Sequence, residues 1–134
     1  MNLDITKLTN KTEVIVRFSD TDAMGIVHVN RYFIYFEDGF VSLLDSIGFH
    51  PSEHIKEGIV FPIVESHCNY ESSAKFGDTL VILTKIKSVS THSLTCSHEV
   101  RRRSDNTLLA HGTLVRVCYS LDNEKIPVDT IFSR

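Results

Sequence analysis

The sequence has little of what marks a secreted, fibrous or disordered chain. Its 134 residues contain no Trp, three Cys, three Pro and six Gly. Three cysteines far apart in sequence exclude a disulfide framework and a four-cysteine zinc site. The low Pro and Gly content, with 42% hydrophobic and 23% charged residues, excludes a collagen-like or low-complexity chain. This length predicts one domain with a substantial buried core.

Positive charge is also scarce. The chain has 14 Lys and Arg against 17 Asp and Glu, a formal net charge of −3, and its one basic run is residues 101–103. A chain without a basic face is not expected to bind nucleic acid. The longest apolar stretch, residues 59–64, is too short to span a bilayer, and residues 1–11 have no apolar signal core. We therefore expect a cytoplasmic protein with no membrane partner.

The spacing of apolar residues changes period along the chain. Alternation over residues 14–18 predicts a first strand. Apolar residues three or four apart then predict one long helix over residues 31–47, with Asn30 as its N-cap and Gly48 as its stop. The apolar stripe of this helix comprises Phe33, Phe36, Phe40, Leu43, Leu44 and Ile47.

After a short helical turn at residues 51–57, the rest of the chain is strand-like. Strands are predicted over residues 60–70, 79–88, 93–102 and 107–121, and the short turns between them favour antiparallel neighbours. The polar tail, residues 124–134, is expected to be partly loose. The element order predicts a single α+β domain over residues 1–134, with its core at about residues 13–121, in which a five-stranded sheet wraps around one long helix.

Apolar residues also occupy both faces of the last predicted strand. One face carries Leu108, Ala110, Leu114 and Cys118, and the other carries Leu109, Val115 and Val117. A single helix covers only one face of a sheet. The other face is expected to pack on another subunit, so the sequence predicts an oligomer.

The segment that carries chemistry is residues 17–32, RFSDTDAMGIVHVNRY. It places Asp20 and Asp22 in a loop directly before the predicted helix. A helix N-terminus has unpaired amides and partial positive charge, which stabilise a developing oxyanion. A carboxylate beside it can serve as nucleophile or general base. The alternative interpretation is structural, because Asp-Thr-Asp is also favourable turn chemistry.

This segment resembles the hotdog-fold thioesterases of the 4-hydroxybenzoyl-CoA thioesterase and acyl-CoA thioesterase type. The shared pattern is Asp-x-Asp-x-x-Gly-x-Val followed by Tyr, here Asp20, Asp22, Gly25, Val27 and Tyr32. Residues 76–80, Phe-Gly-Asp-Thr-Leu, resemble the Gly-Asp-x-Leu turn of that family. The resemblance covers about residues 14–119 and implies a hotdog fold, an antiparallel five-stranded sheet wrapped around a long central helix.

The resemblance also implies an activity. It implies an acyl-CoA thioesterase, which hydrolyses an acyl-CoA to a free carboxylic acid and CoA without a cofactor, CoA being part of the substrate. Asp22 would act as nucleophile or general base. Backbone amides at Val29 and Asn30 would form the oxyanion hole, with Gly25 and Asp20 supporting the loop. Self-association to a dimer or tetramer is implied as well.

The resemblance also implies which residues contact the substrate. The resemblance assigns the acyl pocket to Tyr32, Phe33, Phe36 and Glu37. It assigns CoA contacts, more weakly, to Thr91, His92 and Ser93. Arg102 is a further candidate for CoA binding because arginine suits phosphates, although a basic run is more often a solvated strand end. No metal site is expected, because strand periodicity alone explains why Cys96 and His98 share a face, and a metal needs three or four converging ligands.

Two other functions remain open at this point. One is a catalytically idle hotdog protein that binds acyl-CoA or acyl carrier protein. The other is a hotdog dehydratase, against which the Asp-x-Asp-x-x-Gly loop argues. The sequence does not choose between aromatic, short and long acyl groups.

Overall fold

A long helix, α1 (Arg31–Ser46), packs against one face of a five-stranded antiparallel sheet in the computed structural model, which describes residues 4–122 and 124–132. The strands are β1 (Thr9–Ile15), β2 (Ile59–Val60), β3 (Ile63–Tyr70), β4 (Thr79–Val89), β5 (Ser93–Arg102), β6 (Leu108–Val117) and β7 (Tyr119–Ser120). Two short helices are α2 (Pro51–Lys56) and α3 (Val128–Phe132). No helix among these residues is long and apolar enough to cross a bilayer.

The sheet confirms the predicted hotdog architecture. Its strand order is β1-β4-β5-β6-β3, with every neighbouring pair antiparallel, and β2 and β7 form a separate small ladder. The first strand differs from its prediction. It ends at Ile15, because Phe18 begins a 3-10 turn, Phe18–Asp20, that leads into the loop before α1. Gly48 has a φ of +79° and ends α1 in the left-handed conformation that favours glycine.

The core lies between α1 and the inner face of the sheet. The alternation predicted for β4 and β5 is confirmed. The inner faces of these strands carry Leu80, Ile82, Thr84, Ile86, Leu94, Cys96, His98 and Val100, all buried. The buried face of α1 is rotated slightly from its prediction, since Tyr32 and Tyr35 are buried whereas Phe33 and Ile47 are only partly so.

The two faces predicted for the last strand are partly wrong. Leu109 and Ala110 are both fully buried, because the register of β5 and β6 shifts between Val100 and Arg101 and leaves an extra residue on β6. Leu108 is correspondingly only half-buried. The outer face of β6 then carries His111, Thr113, Val115 and Val117, which is a mixed surface and not the apolar one expected.

The expectation of a loose tail is wrong for residues 124–132. Val128, Ile131 and Phe132 of α3 are buried in the core. The ring of Phe132 packs against the ring of Phe49, with centroids 5.5 Å apart. The amide of Val128 donates to the carbonyl of Thr91 at 2.8 Å. The two final residues of the predicted tail, 133 and 134, lie outside the described part of the chain, as does residue 123.

Helix α1 crosses the sheet most closely at Gly39. A Cβ at Gly39 would overlap the hydroxyl of Thr84 and lie 2.8 Å from the side chain of Ile82. That hydroxyl is hydrogen-bonded to Nδ1 of His98 at 2.9 Å, and the ring of Phe36 stacks on His98 with centroids 4.8 Å apart. Burial lowers the pKa of His98 to about 3, so its imidazole is neutral at physiological pH.

We expect Gly39→Ala to lower the free energy of unfolding by about 1–3 kcal/mol, because the added methyl group overpacks the contact between helix and sheet. Helix propensity alone predicts the opposite sign, a gain of up to about 1 kcal/mol. Urea unfolding measures the difference. Asp45→Ala, at an exposed position of the same helix, is the control and should change stability by less than about 0.5 kcal/mol. A more stable Gly39→Ala protein would contradict the close approach.

Candidate active site

The loop between β1 and α1 folds back on itself as a small hairpin. The amide of Asp22 donates to the carbonyl of Ile26 at 2.9 Å, and the amide of His28 donates to the carbonyl of Asp20 at 2.9 Å. Gly25, near the tip, has a φ of +79°, where a side chain would be strained. The hairpin therefore returns the chain from Asp22 to the residues that immediately precede α1.

The carboxylate of Asp22 is anchored through one of its two oxygens. Oδ1 accepts from the amide of Met24 at 2.8 Å and from the amide of Ile26 at 3.4 Å. Within residues 4–122 and 124–132, no group donates to Oδ2. The side chain is half-buried. Asp22 thus has a fixed orientation and one oxygen available to a substrate or a water molecule.

Asp20 has the opposite environment. It is 1% exposed, and its Oδ2 accepts from the Arg17 amide and the Tyr35 hydroxyl, each at 3.0 Å. The guanidinium groups of Arg17 and Arg31 lie 3.5 Å and 3.8 Å from its carboxylate. Burial would raise the pKa of Asp20, but the Arg17 amide, the Tyr35 hydroxyl and the Arg17 charge together hold that pKa below its ordinary value. These contacts are those of a residue that holds the loop in place.

The amides of Val29 and Asn30 lie just before α1. In the described part of the chain, neither amide donates a hydrogen bond to a backbone or side-chain acceptor. The carbonyl of Val29 accepts from the Tyr70 hydroxyl at 3.1 Å, which fixes this turn against the end of β3. Asn30 has helical φ and ψ angles and makes no side-chain cap hydrogen bond. Its expected role as a capping acceptor is therefore wrong. The first two amides of α1 donate to backbone carbonyls, Arg31 to His28 at 3.0 Å and Tyr32 to Val29 at 3.4 Å, so the available amides are those of Val29 and Asn30.

The four residues assigned to an acyl pocket lie in different environments. Tyr32 and Phe36 are 3% and 0% exposed and belong to the core. Burial raises the pKa of Tyr32 to about 12. Phe33 is half-buried and packs edge-on against Phe36. Only Phe33 and Glu37 therefore lie at an accessible surface.

Glu37 is paired with a residue that the sequence analysis missed. Its carboxylate bonds the guanidinium of Arg116, which projects from β6 and is 3% exposed. The guanidinium carbon lies 3.9 Å from the centroid of the Phe40 ring. Strand periodicity could have predicted that Arg116 faces inward, because it lies two residues from both Leu114 and Cys118, which are buried.

The residues assigned to CoA binding lie at opposite ends of β5. Thr91 and His92 lie in the turn between β4 and β5, and Ser93 begins β5, whereas Arg102 is at the opposite end of that strand. Ser93 and Arg102 are the first and last residues of β5, about 30 Å apart at about 3.3 Å per residue. Arg102 is bonded to Asp105 at 2.8 Å and to the carbonyl of Ser73 at 2.7 Å. A single chain does not bring these residues together.

Potential metal ligands do not converge within residues 4–122 and 124–132. No group of three or more His, Cys, Asp and Glu side chains there could hold a metal ion. Cys96 and His98 share the inner face of β5, but both are buried in the core. Burial raises the pKa of the Cys96 thiol to about 12, which keeps it protonated and unsuited to bind a metal.

Comparison with known proteins gives a consistent set of relatives. A family model described as the thioesterase-like superfamily matches residues 16–130. A Bacillus subtilis (strain 168) protein, named "Putative acyl-CoA thioesterase YneP", is 35% identical over 78 residues, which are 58% of this chain and 56% of that protein. The matched part of the chain thus spans just over half the length of that relative.

Two solved structures are similar over nearly the whole chain. One is a 1,4-dihydroxy-2-naphthoyl-CoA thioesterase from Synechocystis, with a TM-score of 0.85, 26% identity and coverage of 92% of this chain and 91% of that one. The other is the 4-hydroxybenzoyl CoA thioesterase from Pseudomonas sp. strain CBS-3, with a TM-score of 0.84, 25% identity and coverage of 93% and 96%.

We expect Asp20→Asn to lower the free energy of unfolding at pH 7 by about 1.5–3 kcal/mol, the usual worth of hydrogen bonds to a charged group. Because the fold lowers the pKa of Asp20, its stabilisation is present above the unfolded pKa of about 3.9. That stabilisation is lost as the pH falls through the folded pKa.

Urea unfolding from pH 7 to pH 2 should therefore show the difference between wild type and Asp20→Asn shrinking in acid. The matched control is Asp22→Asn, which keeps an oxygen for the Met24 amide and should cost less than about 0.5 kcal/mol at pH 7. Equal stability of Asp20→Asn and wild type at pH 7 would show that Asp20 does not hold the loop.

Proposed function

The chain belongs to the thioesterase-like superfamily, and on that premise we propose that it hydrolyses the thioester bond of an acyl-CoA, releasing a free carboxylic acid and CoA. The observation that carries the proposal is the carboxylate of Asp22. One of its oxygens is anchored by backbone amides, and the other faces no donor in the described residues. It lies in a hairpin that ends at the available amides of Val29 and Asn30. The names of the relatives support acyl-CoA as the substrate class.

The amides of Val29 and Asn30 bind the carbonyl oxygen of the thioester in this proposal. Negative charge that develops on this oxygen then meets the positive end of α1, which lowers the barrier. This arrangement requires no metal ion, since the charge is stabilised by backbone N–H groups.

Asp22 promotes attack on the carbonyl carbon in one of two ways. As a general base, it takes a proton from a water molecule whose oxygen bonds to the carbonyl carbon. The C–S bond then breaks, and CoA leaves as a thiolate that takes up a proton. As a nucleophile, its Oδ2 forms the new C–O bond, and the C–S bond breaks so that CoA leaves as a thiolate that takes up a proton. Water then hydrolyses the resulting anhydride, which releases the free acid and restores the Asp22 carboxylate.

We also propose that two copies pair through β3. This strand lies at an edge of the sheet, and its Ile63 and Val64 side chains are 42% and 60% exposed. An exposed edge strand with apolar side chains is a template for pairing with another strand. A two-fold pair of β3 strands would continue the sheet from one copy to the next. Because Tyr70 of β3 contacts Val29, the second copy would lie beside the active site.

We expect Asp22→Asn to lower kcat for acyl-CoA hydrolysis by at least about a hundredfold, because an amide neither accepts a proton from water nor attacks a carbonyl. Thiol release measures the rate with a panel from short and long aliphatic acyl-CoAs to hydroxybenzoyl-CoA and hydroxynaphthoyl-CoA. Thermal unfolding of the variant should match wild type.

Two outcomes would count against the proposed function. If Asp22→Asn hydrolyses the best substrate as fast as wild type, Asp22 does not perform the chemistry. If wild type hydrolyses no member of the panel but binds CoA, the chain is a binding protein and not an enzyme.

We expect Val64→Asp to shift the protein from dimer to monomer, because a paired strand would bury the new carboxylate against its partner. Light scattering after size exclusion measures the molar mass. Val89→Asp is the matched control, since Val89 is also exposed but lies at the end of β4, away from this edge. A wild-type monomer at micromolar concentration, or a dimeric Val64→Asp protein, would contradict pairing through β3.

A further inference from the structure

Two peptide groups carry the amides that are available before α1. The N–H of Val29 shares a peptide group with the carbonyl of His28, and the N–H of Asn30 shares one with the carbonyl of Val29. The described part of the chain contains no cis peptide bond, and in a trans peptide group the C=O and N–H bonds point in opposite directions. The contacts that hold each carbonyl therefore also set the direction of the N–H in the same group.

The two carbonyls are held by different partners. The carbonyl of His28 accepts from the amide of Arg31, the first residue of α1, at 3.0 Å. The carbonyl of Val29 accepts from the next amide, that of Tyr32, at the longer distance of 3.4 Å. The helix thus holds the first peptide group closely and the second less closely.

The hydroxyl of Tyr70 makes the shorter contact to the Val29 carbonyl, at 3.1 Å. Tyr70 is the last residue of β3, where it is paired in register with Ala110 of β6. Its ring packs edge-on against the buried ring of Tyr32, with centroids 5.6 Å apart. The strand and the ring contact fix this side chain, so the sheet as well as the helix orients the peptide group between Val29 and Asn30.

This hydroxyl is a hydrogen-bond donor at physiological pH. Partial burial and then the neighbouring Cys68 thiol raise the pKa of Tyr70 above its ordinary value, so the phenol keeps its proton. Hydrogen bonds in series polarise one another. A hydrogen bond to the Val29 carbonyl therefore makes the Asn30 N–H of the same peptide group a stronger donor.

The Asn30 N–H is one of the two that bind the thioester oxygen in the proposed function. Negative charge grows on that oxygen in the transition state, so the direction and strength of the donor affect kcat more than they affect substrate binding. We propose that Tyr70 is a positioning residue, which acts through the Val29 carbonyl to aim the Asn30 amide at the thioester oxygen. The inference rests on the proposed function, because it requires a thioester bound at this turn.

The kinetic test removes the hydroxyl alone. Tyr70→Phe keeps the ring that packs against Tyr32 and should lower kcat by about tenfold, less than the hundredfold or more that loss of a whole oxyanion donor costs. KM should stay within about twofold of wild type, because the contact acts in the transition state. Thiol release measures both constants with the acyl-CoA that wild type hydrolyses fastest. Tyr119→Phe, in the separate β2–β7 ladder, is the matched control and should leave kcat unchanged.

A spectroscopic measurement separates positioning from a general loss of structure. The same acyl-CoA, isotopically labelled at its thioester carbonyl carbon, is bound to Asp22→Asn, which slows its hydrolysis, and infrared difference spectra are recorded. Adding Tyr70→Phe to this variant should move the carbonyl band to higher frequency, because a weaker hydrogen bond polarises the C=O bond less. The Tyr70→Phe protein should keep the molar mass of wild type and a melting temperature within about 5 °C of it.

Several results would overturn this inference and leave the thioesterase proposal standing. These are an unchanged kcat in Tyr70→Phe, or the same carbonyl band with and without the hydroxyl. A Tyr70→Phe protein that does not fold, or whose lower kcat accompanies a change in molar mass, would assign the hydroxyl to the fold or to the dimer contact instead. Hydrolysis of no acyl-CoA by wild type would overturn both proposals.

Discussion

The close contact between α1 and the sheet at Gly39 is the constraint on which the site depends. No side chain fits between the helix backbone and Thr84 at this point, and the Thr84–His98 hydrogen bond and the Phe36–His98 stack complete the contact. Because burial keeps the His98 imidazole neutral, no charge is buried at this contact. Fixing α1 at Gly39 also fixes Glu37 and the start of the helix, which is hydrogen-bonded to the turn that carries the Val29 and Asn30 amides.

The loop before α1 gives two neighbouring aspartates different roles through burial and hydrogen bonding alone. Asp20 lies beneath the loop, where the Arg17 amide and the Tyr35 hydroxyl occupy its carboxylate. Asp22 lies at the open side of the same hairpin with one oxygen unused. In the proposed function, stability and chemistry are therefore separated onto two side chains, so a change to one need not change the other.

The sequence predicted those features that depend on the local spacing of apolar residues. It identified α1, the inner faces of β4 and β5 and the loop before the helix, because alternation and helical spacing act within a few residues. The predictions were wrong where contacts between distant parts of the chain determine the structure. The extra residue at Leu109 depends on the register with β5, and the tail is ordered because Val128, Ile131 and Phe132, spaced as on a helix, reach the core. The sequence did not single out Arg116, because an arginine is usually exposed and its burial depends on its contacts with Glu37 and Phe40.

The exposure of β3 at the edge of the sheet has one physical cause. Helix α1 packs on β1, β4 and β5, so the inward-facing side chains of β3 receive little cover and the strand is exposed along nearly its whole length. A lone sheet edge also leaves backbone donors and acceptors without strand partners. In the proposed dimer, a second β3 strand satisfies the edge and lies beside the turn at Val29, whose carbonyl accepts from the Tyr70 hydroxyl of β3. Assembly and the proposed active site are therefore coupled in this arrangement, because the same strand forms the dimer contact and fixes the turn before α1.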